Sequence, residues 1–339
     1  MTLSASAGSV TEGGTITYTA SVNNPVTGSD PIVTLTGGVT ITIPVGSSSA
    51  NSTAVATRSD EAYLQGTDTI TKAITGTSGG NFEALTTTST VSTSVVDDAD
   101  TTVVTLSASA GSVTEGGTIT YTASVNNPVT GSDLIVTLTG GVTITIPVGS
   151  SSANSTGSTT RSDEAYLQGT DTITKAITGT SGGNFEALTT TSTVSTSVVD
   201  DADATGVTLS ASAGSVTEGG TITYTASVNN PVTGSDLIVT LTGGVTITIP
   251  VGSSSANSTA VATRSDEAYL QGTDTITKAI TGTSGGNFEA LTTTSTVSTS
   301  VVDDADTTVV TSAPAPVASP KAAPSPTPRA SIIQSPVAI

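Results

Sequence analysis

Residues 15–22 read TITYTASV, and this stretch decides the fold class. Its apolar members, at every second position, are Ile16, Tyr18, Ala20 and Val22. A period of two places these side chains on one face of a β-strand and the hydroxyl side chains on the other face. Residues 39–44 (VTITIP) and 68–75 (DTITKAIT) alternate in the same way. The pattern therefore predicts β-sheets with one buried face each.

The same stretch recurs twice further along the chain. The longer segment TLSASAGSVTEGGTITYTASVNNPVTGSD begins at Thr2, Thr105 and Thr208, which gives a period of 103 residues. A period of this size corresponds to a whole domain rather than to a solenoid unit. We therefore predict three tandem domains and a C-terminal tail, with the bounds 1–103, 104–206, 207–311 and 312–339. Because Met1 begins inside the repeated segment, the chain is expected to be a piece of a longer array.

Turn-forming sequences such as NNPVTGSD, PVGSSS and GTSGGN separate the alternating stretches of each copy. About seven strands result in each domain. In the first copy they are expected at residues 2–10, 15–23, 31–36, 39–44, 51–58, 68–76 and 85–96. This number in about 100 residues predicts an all-β chain of immunoglobulin-like antiparallel β-sandwiches. The aromatic residues of the copy, Tyr18, Tyr63 and Phe82, are expected to anchor its core.

The tail differs from the domains in composition. Residues 312–339 hold seven of the 14 prolines, mixed with alanine and serine. A segment of this kind lacks the apolar side chains for a packed core, so we expect it to be disordered.

The composition excludes several classes of protein. The 339 residues include no Cys, His or Trp, and the formal net charge is −19. The usual general base, thiol nucleophile and soft-metal ligands are therefore missing, and no disulfide can form. The charge disfavours nucleic acid and anionic surfaces as partners. Without an apolar run of about 20 residues, the chain is not expected to insert into a membrane.

The acidic residues follow a pattern within each copy. In a sandwich of seven strands, the turns after the first, third and fifth strands share one pole with the end of the last strand. Six candidate acids of each copy fall at this pole, together with Asp68 and its counterparts. They are Glu12, Asp60, Glu61, Asp97, Asp98 and Asp100, then Glu115, Asp163, Glu164, Asp200, Asp201 and Asp203, then Glu218, Asp266, Glu267, Asp303, Asp304 and Asp306.

So many carboxylates with one nearby base, Arg58 in the first copy, require a counter-charge. Hard oxygen ligands in excess select Ca²⁺, which takes six to eight oxygens in a flexible geometry. Mg²⁺ fits less well because it demands a near-ideal octahedron. Asp133 and Glu186, at the facing pole of the second copy, are further residues that could complete the first site. We therefore expect calcium to hold each domain to its neighbour in the chain and to stiffen the array.

The motifs SVTEGGTITYTASV, VTITIPVG, GGNFEAL and VVDDADTT resemble the immunoglobulin-like extender repeats of RTX-type bacterial surface adhesins. The VTEGG and DDAD segments also resemble Calx-beta domains. The first resemblance implies a calcium-rigidified stalk, exported by type I secretion to the bacterial cell surface and used in attachment and biofilm formation. The second implies Glu12, Asp60, Asp97, Asp98 and Asp100 as calcium ligands. The adhesin's distal ligand-binding region is not expected within this chain.

Other functions remain open at the level of sequence. The domains could bind glycan or protein themselves, or they could act as a calcium sensor of the Calx-beta type. A glycosidase with two catalytic carboxylates is disfavoured, because such an enzyme needs a cleft and usually aromatic sugar platforms. A structural protein without enzymatic activity is therefore the prediction.

Overall fold

A computed structural model of the chain describes residues 1–319 and residue 321. The described residues form β-strands joined by turns, and no helix among them is long and apolar enough to cross a membrane. Of the predicted tail, residues 312–319 and 321 have no regular secondary structure. The remainder of that prediction lies outside the described residues.

The first repeat contains ten strands. They are β1 (Thr2–Ala5), β2 (Ser9–Thr11), β3 (Thr15–Ile16), β4 (Tyr18–Ser21), β5 (Ile32–Leu35), β6 (Thr40–Thr42), β7 (Ser49–Asn51), β8 (Val55–Ala56), β9 (Asp68–Ser78) and β10 (Thr90–Val96). They form a sheet in the order β1-β4-β7, a sheet in the order β2-β10-β9-β5-β6, and the short pair β3-β8.

The second repeat contains one strand more. Its strands are β11 (Thr101–Ala108), β12 (Ser112–Thr114), β13 (Thr118–Ile119), β14 (Tyr121–Val125), β15 (Leu134–Leu138), β16 (Thr143–Ile146), β17 (Ser152–Asn154), β18 (Ser158–Thr159), β19 (Asp171–Ser181), β20 (Ala187–Thr189) and β21 (Thr193–Val199). The sheets run β17-β14-β11-β20 and β12-β21-β19-β15-β16, with the pair β13-β18. The additional strand β20 pairs with the beginning of β11.

The third repeat follows the second strand for strand. Its strands are β22 (Ala204–Ala211), β23 (Ser215–Thr217), β24 (Thr221–Ile222), β25 (Tyr224–Val228), β26 (Leu237–Leu241), β27 (Thr246–Ile249), β28 (Ser255–Asn257), β29 (Val261–Ala262), β30 (Asp274–Ser284), β31 (Ala290–Thr292) and β32 (Thr296–Val302). Its sheets run β28-β25-β22-β31 and β23-β32-β30-β26-β27, with the pair β24-β29. The predicted class, three immunoglobulin-like β-sandwiches in tandem, is thus confirmed.

The chain is divided into two compact units. One contains Met1–Gly206 together with Asn229–Ser235 and Gly285–Thr292. The other contains Val207–Val228, Asp236–Ser284 and the described residues from Thr293 onward. The first unit therefore includes the first two repeats and parts of the third, among them β31 and the first residues of β22.

The prediction of one first strand at residues 2–10 is wrong, because this segment forms two strands, β1 and β2. β1 pairs antiparallel with β4, whereas β2 pairs parallel with β10 of the other sheet. The crossing falls at residues 6–8, whose small Ser, Ala and Gly side chains offer no apolar anchor to either sheet. The sandwich consequently contains parallel as well as the expected antiparallel pairs.

The alternating residues of TITYTASV supply the core as expected. Ile16, Tyr18 and Ala20 are buried, and they pack with Val33 and Ile41 of the opposite sheet. Each fully buried aliphatic side chain of this size contributes about 1.5–3 kcal/mol to folding. The core of each repeat is therefore built by one face of each sheet.

The hydroxyl of the core tyrosine is unusual. Tyr18, Tyr121 and Tyr224 are buried, and their hydroxyls have no hydrogen-bond partner among the described residues. Burial also raises the pKa of each phenol. Since an unpaired buried hydroxyl costs about 1–3 kcal/mol, we expect replacing all three tyrosines by phenylalanine to leave the melting temperature unchanged or to raise it.

A matched control removes a buried hydroxyl that does have partners. Ser52 Oγ accepts the Tyr18 N–H at 3.0 Å and donates to the Thr53 carbonyl at 2.7 Å. Replacing Ser52 and its counterparts Ser155 and Ser258 by alanine should lower stability by about 1–3 kcal/mol per repeat. Equal losses from the tyrosine and serine variants in thermal unfolding would contradict this account.

Candidate metal centre at the repeat junctions

The VTEGG turn positions the first acidic side chain. The Glu12 N–H donates to the Val96 carbonyl at 3.0 Å, and the Gly13 N–H donates to the Arg58 carbonyl at 2.9 Å. Gly13 has φ +66°, and a Cβ at this position would lie 2.9 Å from the Asp60 Cβ. Glycine is therefore required here by both backbone conformation and space. The turn holds the Glu12 carboxylate between the end of β10 and the loop that follows β8.

Arg58 is the cation at this pole, and it joins three segments. Its Nε donates to Glu12 Oε2 at 3.2 Å, and its Nη2 donates to the Gly66 carbonyl at 2.8 Å and pairs with Asp97 Oδ1. Asp97 Oδ2 accepts the N–H groups of Gln65 at 3.0 Å and Gly66 at 2.8 Å. Both oxygens of Asp97 are thus occupied by protein donors, and this residue organises the loop after β8.

Two buried carboxylate oxygens at this pole have no such donors. Glu12 is only 3% exposed, and its Oε1 has no hydrogen-bond partner among the described residues. Oε1 of Glu186, from the second repeat, is also buried and has no hydrogen-bond partner among the described residues. An unpaired buried carboxylate oxygen is costly, and a cation bound beside it would supply the missing partner.

The carboxylates gather in three overlapping groups, in each of which one oxygen per residue lies within 4.8 Å of the others. The groups are Glu12, Asp97 and Glu186; Glu12, Asp60 and Asp98; and Asp98, Asp100 and Glu186. Oxygens that bind one Ca²⁺ at 2.3–2.6 Å lie at most about 5 Å apart. The spacing therefore suits a divalent cation held by several of these side chains.

Glu186 joins the cluster because the second repeat packs directly against the first. Its Oε2 accepts the Asp100 N–H at 2.8 Å, and its own N–H donates to the Ala62 carbonyl at 3.3 Å. Only residues 97–100 separate β10 from β11, and β11 begins at Thr101, four residues before the repeated segment starts at Thr105. The acidic linker is therefore short, and a hydrogen bond from Asp100 holds it to the next repeat.

An aromatic contact lies beside the carboxylates. The rings of Tyr63 and Phe185 have centroids 5.7 Å apart, and the Tyr63 hydroxyl donates to the Pro128 carbonyl at 2.8 Å. Leu64 and Asn184 add two further hydrogen bonds, both of 3.0 Å. The prediction that Tyr63 anchors the core of its own repeat is wrong, since this ring packs on the core of the second repeat.

The same contacts recur after the second repeat, within the same compact unit. The rings of Tyr166 and Phe288 are 5.6 Å apart, and the Asp203 N–H donates to Glu289 Oε2 at 2.8 Å. The carboxylate groups there include Glu115, Asp201 and Glu289 in one and Asp163, Asp201 and Asp203 in another. Asp200 pairs with Arg161, as Asp97 pairs with Arg58.

The third repeat carries the same acids in the other unit. An open pocket of about 250 Å³ is lined by Glu218, Glu267, Asp303, Asp304 and Asp306. Asp303 pairs with Arg264, which also contacts Glu218 at 3.0 Å. Burial raises the pKa of Asp306, and the charges of Asp266 and Asp304 raise it further. No acidic residue follows Asp306 in the sequence, so this cluster has no counterpart of Glu186 within the chain.

Five further predicted acids have partners of their own. Glu61 Oε2 accepts from Gln65 Nε2 at 3.1 Å, and Glu164 and Glu267 make the same contact with their own glutamines. Asp68 Oδ1 accepts the Thr69 N–H at 2.8 Å. Asp133, which could have completed the first site, accepts the Val148 N–H at 2.9 Å within its own repeat.

The crowding of carboxylates changes their acidity. The charges of Asp100 and then Asp98 raise the pKa of Asp60, and those of Asp203 and Asp201 do so for Asp163. Burial raises the pKa of Glu186, and the adjacent Glu12 raises it further, although the Asp100 N–H lowers it. Burial likewise raises the pKa of Glu289, the adjacent Glu115 raises it further, and the Asp203 N–H lowers it.

These shifts predict how stability depends on pH without metal. A carboxyl whose pKa is raised on folding binds its proton more tightly in the folded chain, so its contribution to stability is lost as the pH rises through that pKa. In chelator, the contribution of Asp60, Asp163, Glu186 and Glu289 to stability should therefore grow as the pH falls from 7 towards the usual pKa range of carboxyl groups. Melting temperatures in chelator would test this, with Asn or Gln variants of the four residues showing a flatter dependence.

A family match extends over all three repeats. The model of the LapA domain matches residues 1–99, 100–202 and 203–305. No curated protein matches the chain by sequence.

The solved structures that match the chain include two adhesin structures and an ectodomain fragment. A tetra-tandem repeat from the extending region of a large adhesion protein is 17% identical, with 88% of this chain and 74% of that chain covered and a TM-score of 0.27. The Escherichia coli adhesin FdeC is 17% identical, with 89% and 96% covered and a TM-score of 0.23. An ICAM-5 ectodomain fragment is 10% identical, with 90% and 77% covered and a TM-score of 0.27.

Proposed function

This chain belongs to the LapA domain family, and we propose that it is a non-enzymatic extender segment of a bacterial cell-surface adhesin, with joints stiffened by Ca²⁺. The observation that carries the proposal is the meeting of two carboxylates, Glu12 and Glu186, across the joint between two repeats, each with a buried Oε1 that has no hydrogen-bond partner among the described residues. An enzyme active site would not have to be divided between domains in this repeated way.

The donor set favours calcium over other metals. Glu12, Asp60, Asp98, Asp100 and Glu186 offer only carboxylate oxygens, and the sequence contains neither His nor Cys. Such ligands suit hard cations, and an irregular cluster with more than six oxygens suits Ca²⁺ better than Mg²⁺. Arg58 neutralises part of the charge through Glu12 and Asp97, and a divalent cation would neutralise two further charges.

Metal binding would stiffen the joint by joining ligands from both sides of it. Asp98 and Asp100 lie in the linker, Glu12 and Asp60 belong to the preceding repeat, and Glu186 belongs to the following one. Without a cation, these carboxylates repel one another and favour separation of the repeats. With a cation bound, the linker and both repeats share one coordination sphere, which leaves the joint few orientations.

A stiff series of domains suits a stalk. One solved structure with similar strands is described as the extending region of a large adhesion protein. By analogy, this chain would hold an adhesive region away from the cell, contribute to attachment and biofilm formation, and act outside the cell. Neighbouring repeats of the same chain are its partners in this role, and the surface ligand would be bound elsewhere in the adhesin. Export by type I secretion belongs to the same proposal.

Calcium should stabilise the chain. Extracellular calcium modules bind with dissociation constants of about 10⁻⁴–10⁻³ M. At ten to a hundred times the dissociation constant, each site would add roughly 1.4–2.7 kcal/mol. Thermal unfolding in millimolar CaCl₂ and in chelator is the measurement, with MgCl₂ as the control cation. A melting temperature that is the same in CaCl₂ and in chelator would overturn the metal site.

Stiffening needs a separate measurement because a cation could bind without affecting the joint. Small-angle scattering should show a more sharply defined maximum dimension in CaCl₂ than in chelator. Identical curves in the two conditions would contradict the stalk mechanism even if calcium raised the melting temperature. A calcium sensor or a glycan-binding module would then be the better assignment for these domains.

A further inference from the structure

The last strand of the five-stranded sheet in each repeat is an edge with free backbone groups. In the first repeat this strand is β6, which pairs with β5 and with no other strand among the described residues. The Ile43 N–H donates to the Pro31 carbonyl at 3.0 Å. Because hydrogen-bonded pairs alternate along an antiparallel ladder, the N–H and C=O groups of Thr40 and Thr42 point away from β5. They can therefore pair with another strand.

This edge lies in the longest uncharged stretch of its repeat. Residues 31–57, 134–160 and 237–263 contain no Asp, Glu, Lys or Arg, although the chain has a net charge of −19. Natural proteins commonly protect an edge strand from other chains with charged side chains. The exposed side chains on β6 are instead threonines, Thr40 and Thr42. Two copies of this acidic chain can therefore approach each other here without strong repulsion.

Exposed apolar side chains flank the same edge in every repeat. Ile32, on the neighbouring strand β5, is 41% exposed, and Val45, just after β6, is 51% exposed. Their counterparts are exposed to between 39% and 52%, and they are Ile135, Val148, Ile238 and Val251. The values agree although the second repeat lies between two others along the chain. The exposure of this edge is therefore a property of each repeat, and neighbouring repeats do not cover it.

Opposite charges stand at the two ends of the edge strand. At the turn between β5 and β6, Lys72 Nζ donates to the Thr36 carbonyl at 2.8 Å and lies beside Gly37. At the other end, Asp30 Oδ1 accepts the Val45 N–H at 2.7 Å. A two-fold axis reverses one copy relative to the other, so each end would meet the opposite end of the second copy. The edge is thus complementary to itself.

We propose that two copies of this chain associate side by side, with β6 of one copy pairing antiparallel to β6 of the other and Ile41 on the two-fold axis. In this register Thr40 lies opposite Thr42 of the second copy, and each such pair exchanges two hydrogen bonds. The threonine side chains also meet across the new pair of strands, which adds to its stability. The other repeats have the same edge in β16 and β27, where the residues on the axis are Ile144 and Ile247.

The same register brings the charged ends together. Gly37 lies opposite Val45 of the second copy, so the Lys72 ammonium approaches the Asp30 carboxylate at both ends of the paired strands. Exposed ion pairs are weak, and these would mainly select the register. Because the strand is short and Pro44 has no N–H to continue the ladder, a single edge should associate weakly. The contact involves neither acidic pole, so it goes beyond the proposed function and does not depend on Ca²⁺.

Disulfide trapping can detect a weak association and report its register, because the chain has no cysteine of its own. One copy would have Thr40→Cys, Thr143→Cys and Thr246→Cys, and a tagged copy would have Thr42→Cys, Thr145→Cys and Thr248→Cys. Opposite residues in this register have Cα atoms about 5.5 Å apart, which suits a disulfide. Like cysteines would be offset by two residues, beyond the limit of about 7 Å. We expect several times more of the mixed dimer than of either like dimer under mild oxidation.

A matched control moves the first set of cysteines to the centre of the same sheet. Thr71, Thr174 and Thr277 are exposed threonines on β9, β19 and β30, each of which has a strand on both sides. Their cysteine variants should give little mixed dimer with the tagged copy. Equal yields from this control and from the Thr40→Cys copy would overturn the pairing. Equal yields of mixed and like dimers would overturn the register. All the changed threonines are exposed, and thermal unfolding would verify that the variants remain folded.

Charge variants and chelator complete the test. Changing Lys72, Lys175 and Lys278 to glutamate in one copy should reduce the excess of mixed dimer, whereas arginine at these positions should preserve most of it. An excess unchanged by Lys72→Glu would overturn the predicted contact between charged ends. The excess should be the same in CaCl₂ and in chelator, and its loss in chelator would contradict the calcium-independent pairing. A melting temperature unaffected by CaCl₂, with the excess retained, would contradict the metal site and support the pairing.

Discussion

Replacing Arg58, Arg161 and Arg264 by methionine should destabilise each repeat by about 3–5 kcal/mol, the usual cost of leaving a buried charge without its partner. Each arginine pairs with a glutamate whose side chain is almost completely buried and with an aspartate at the end of the last strand. The guanidinium also donates to the backbone of the following loop, at Gly66 in the first repeat. Thermal unfolding in chelator would measure the loss without a contribution from bound metal.

All three repeats need to be changed together, because unaltered repeats would dominate the unfolding curve. Replacing Lys72, Lys175 and Lys278 by methionine is the control, since each of these half-buried lysines donates to a single threonine carbonyl. This control should change stability by no more than about 1 kcal/mol. Changing Glu12, Glu115 and Glu218 to methionine together with the arginines should recover much of the loss. If the arginine and lysine variants are equally stable, the buried ion pair does not hold the pole together.

Much of the fold follows from residue order alone. The alternation of Ile16, Tyr18 and Ala20 identifies a strand and its buried face, because the period of side chains along a strand is fixed by the backbone. The alternation does not reveal which sheet a strand joins. For this reason residues 2–10 were expected as one strand, although β1 and β2 belong to different sheets. The exchange depends on pairing with β10, which lies more than 80 residues away.

The candidate site is only partly encoded in local sequence. Turn positions place Glu12, Asp60, Asp98 and Asp100 at one pole, and the structure brings them together. The sequence does not distinguish Asp97 from Asp98, although Asp97 is occupied by Arg58 and two backbone N–H groups. That difference depends on the path of the loop after β8, which residue types do not specify.

The sequence does not specify which residue of the following repeat joins the acidic cluster, and Glu186 is the example. The turn pattern allows Glu186 to complete the first site but does not place it among the principal ligands, and it does not single out Glu289. The available signal was the glutamate of GGNFEAL, which falls at the pole facing the preceding repeat. Asp133 falls at the same pole but bonds within its own repeat, so position alone could not separate the two.

Changing Glu186 and Glu289 to glutamine should lower calcium affinity at both joints by about ten- to a hundredfold. Each substitution removes a charge from a carboxylate whose Oε1 is buried and unpartnered beside Glu12 or Glu115. The amide can still accept the N–H of Asp100 or Asp203 through its oxygen, so the direct contact between repeats is retained. Hard cations bind a neutral amide less strongly than a carboxylate, and metal affinity follows ligand charge. Calcium titration by calorimetry would measure the change, and scattering should show that less of the stiffening remains.

The chain provides its own matched control for this experiment. Glu83 occupies the equivalent position in the first repeat, is exposed, and faces no preceding repeat among the described residues. Glu83→Gln makes the same chemical change in the same motif, so it should leave calcium binding and scattering unaltered. If it weakens binding as much as the double variant, the effect is a general loss of negative charge rather than the loss of a ligand. If neither variant changes calcium affinity, the cation is held within single repeats, and the joint would have to be stiffened by the Tyr63–Phe185 and Tyr166–Phe288 contacts alone.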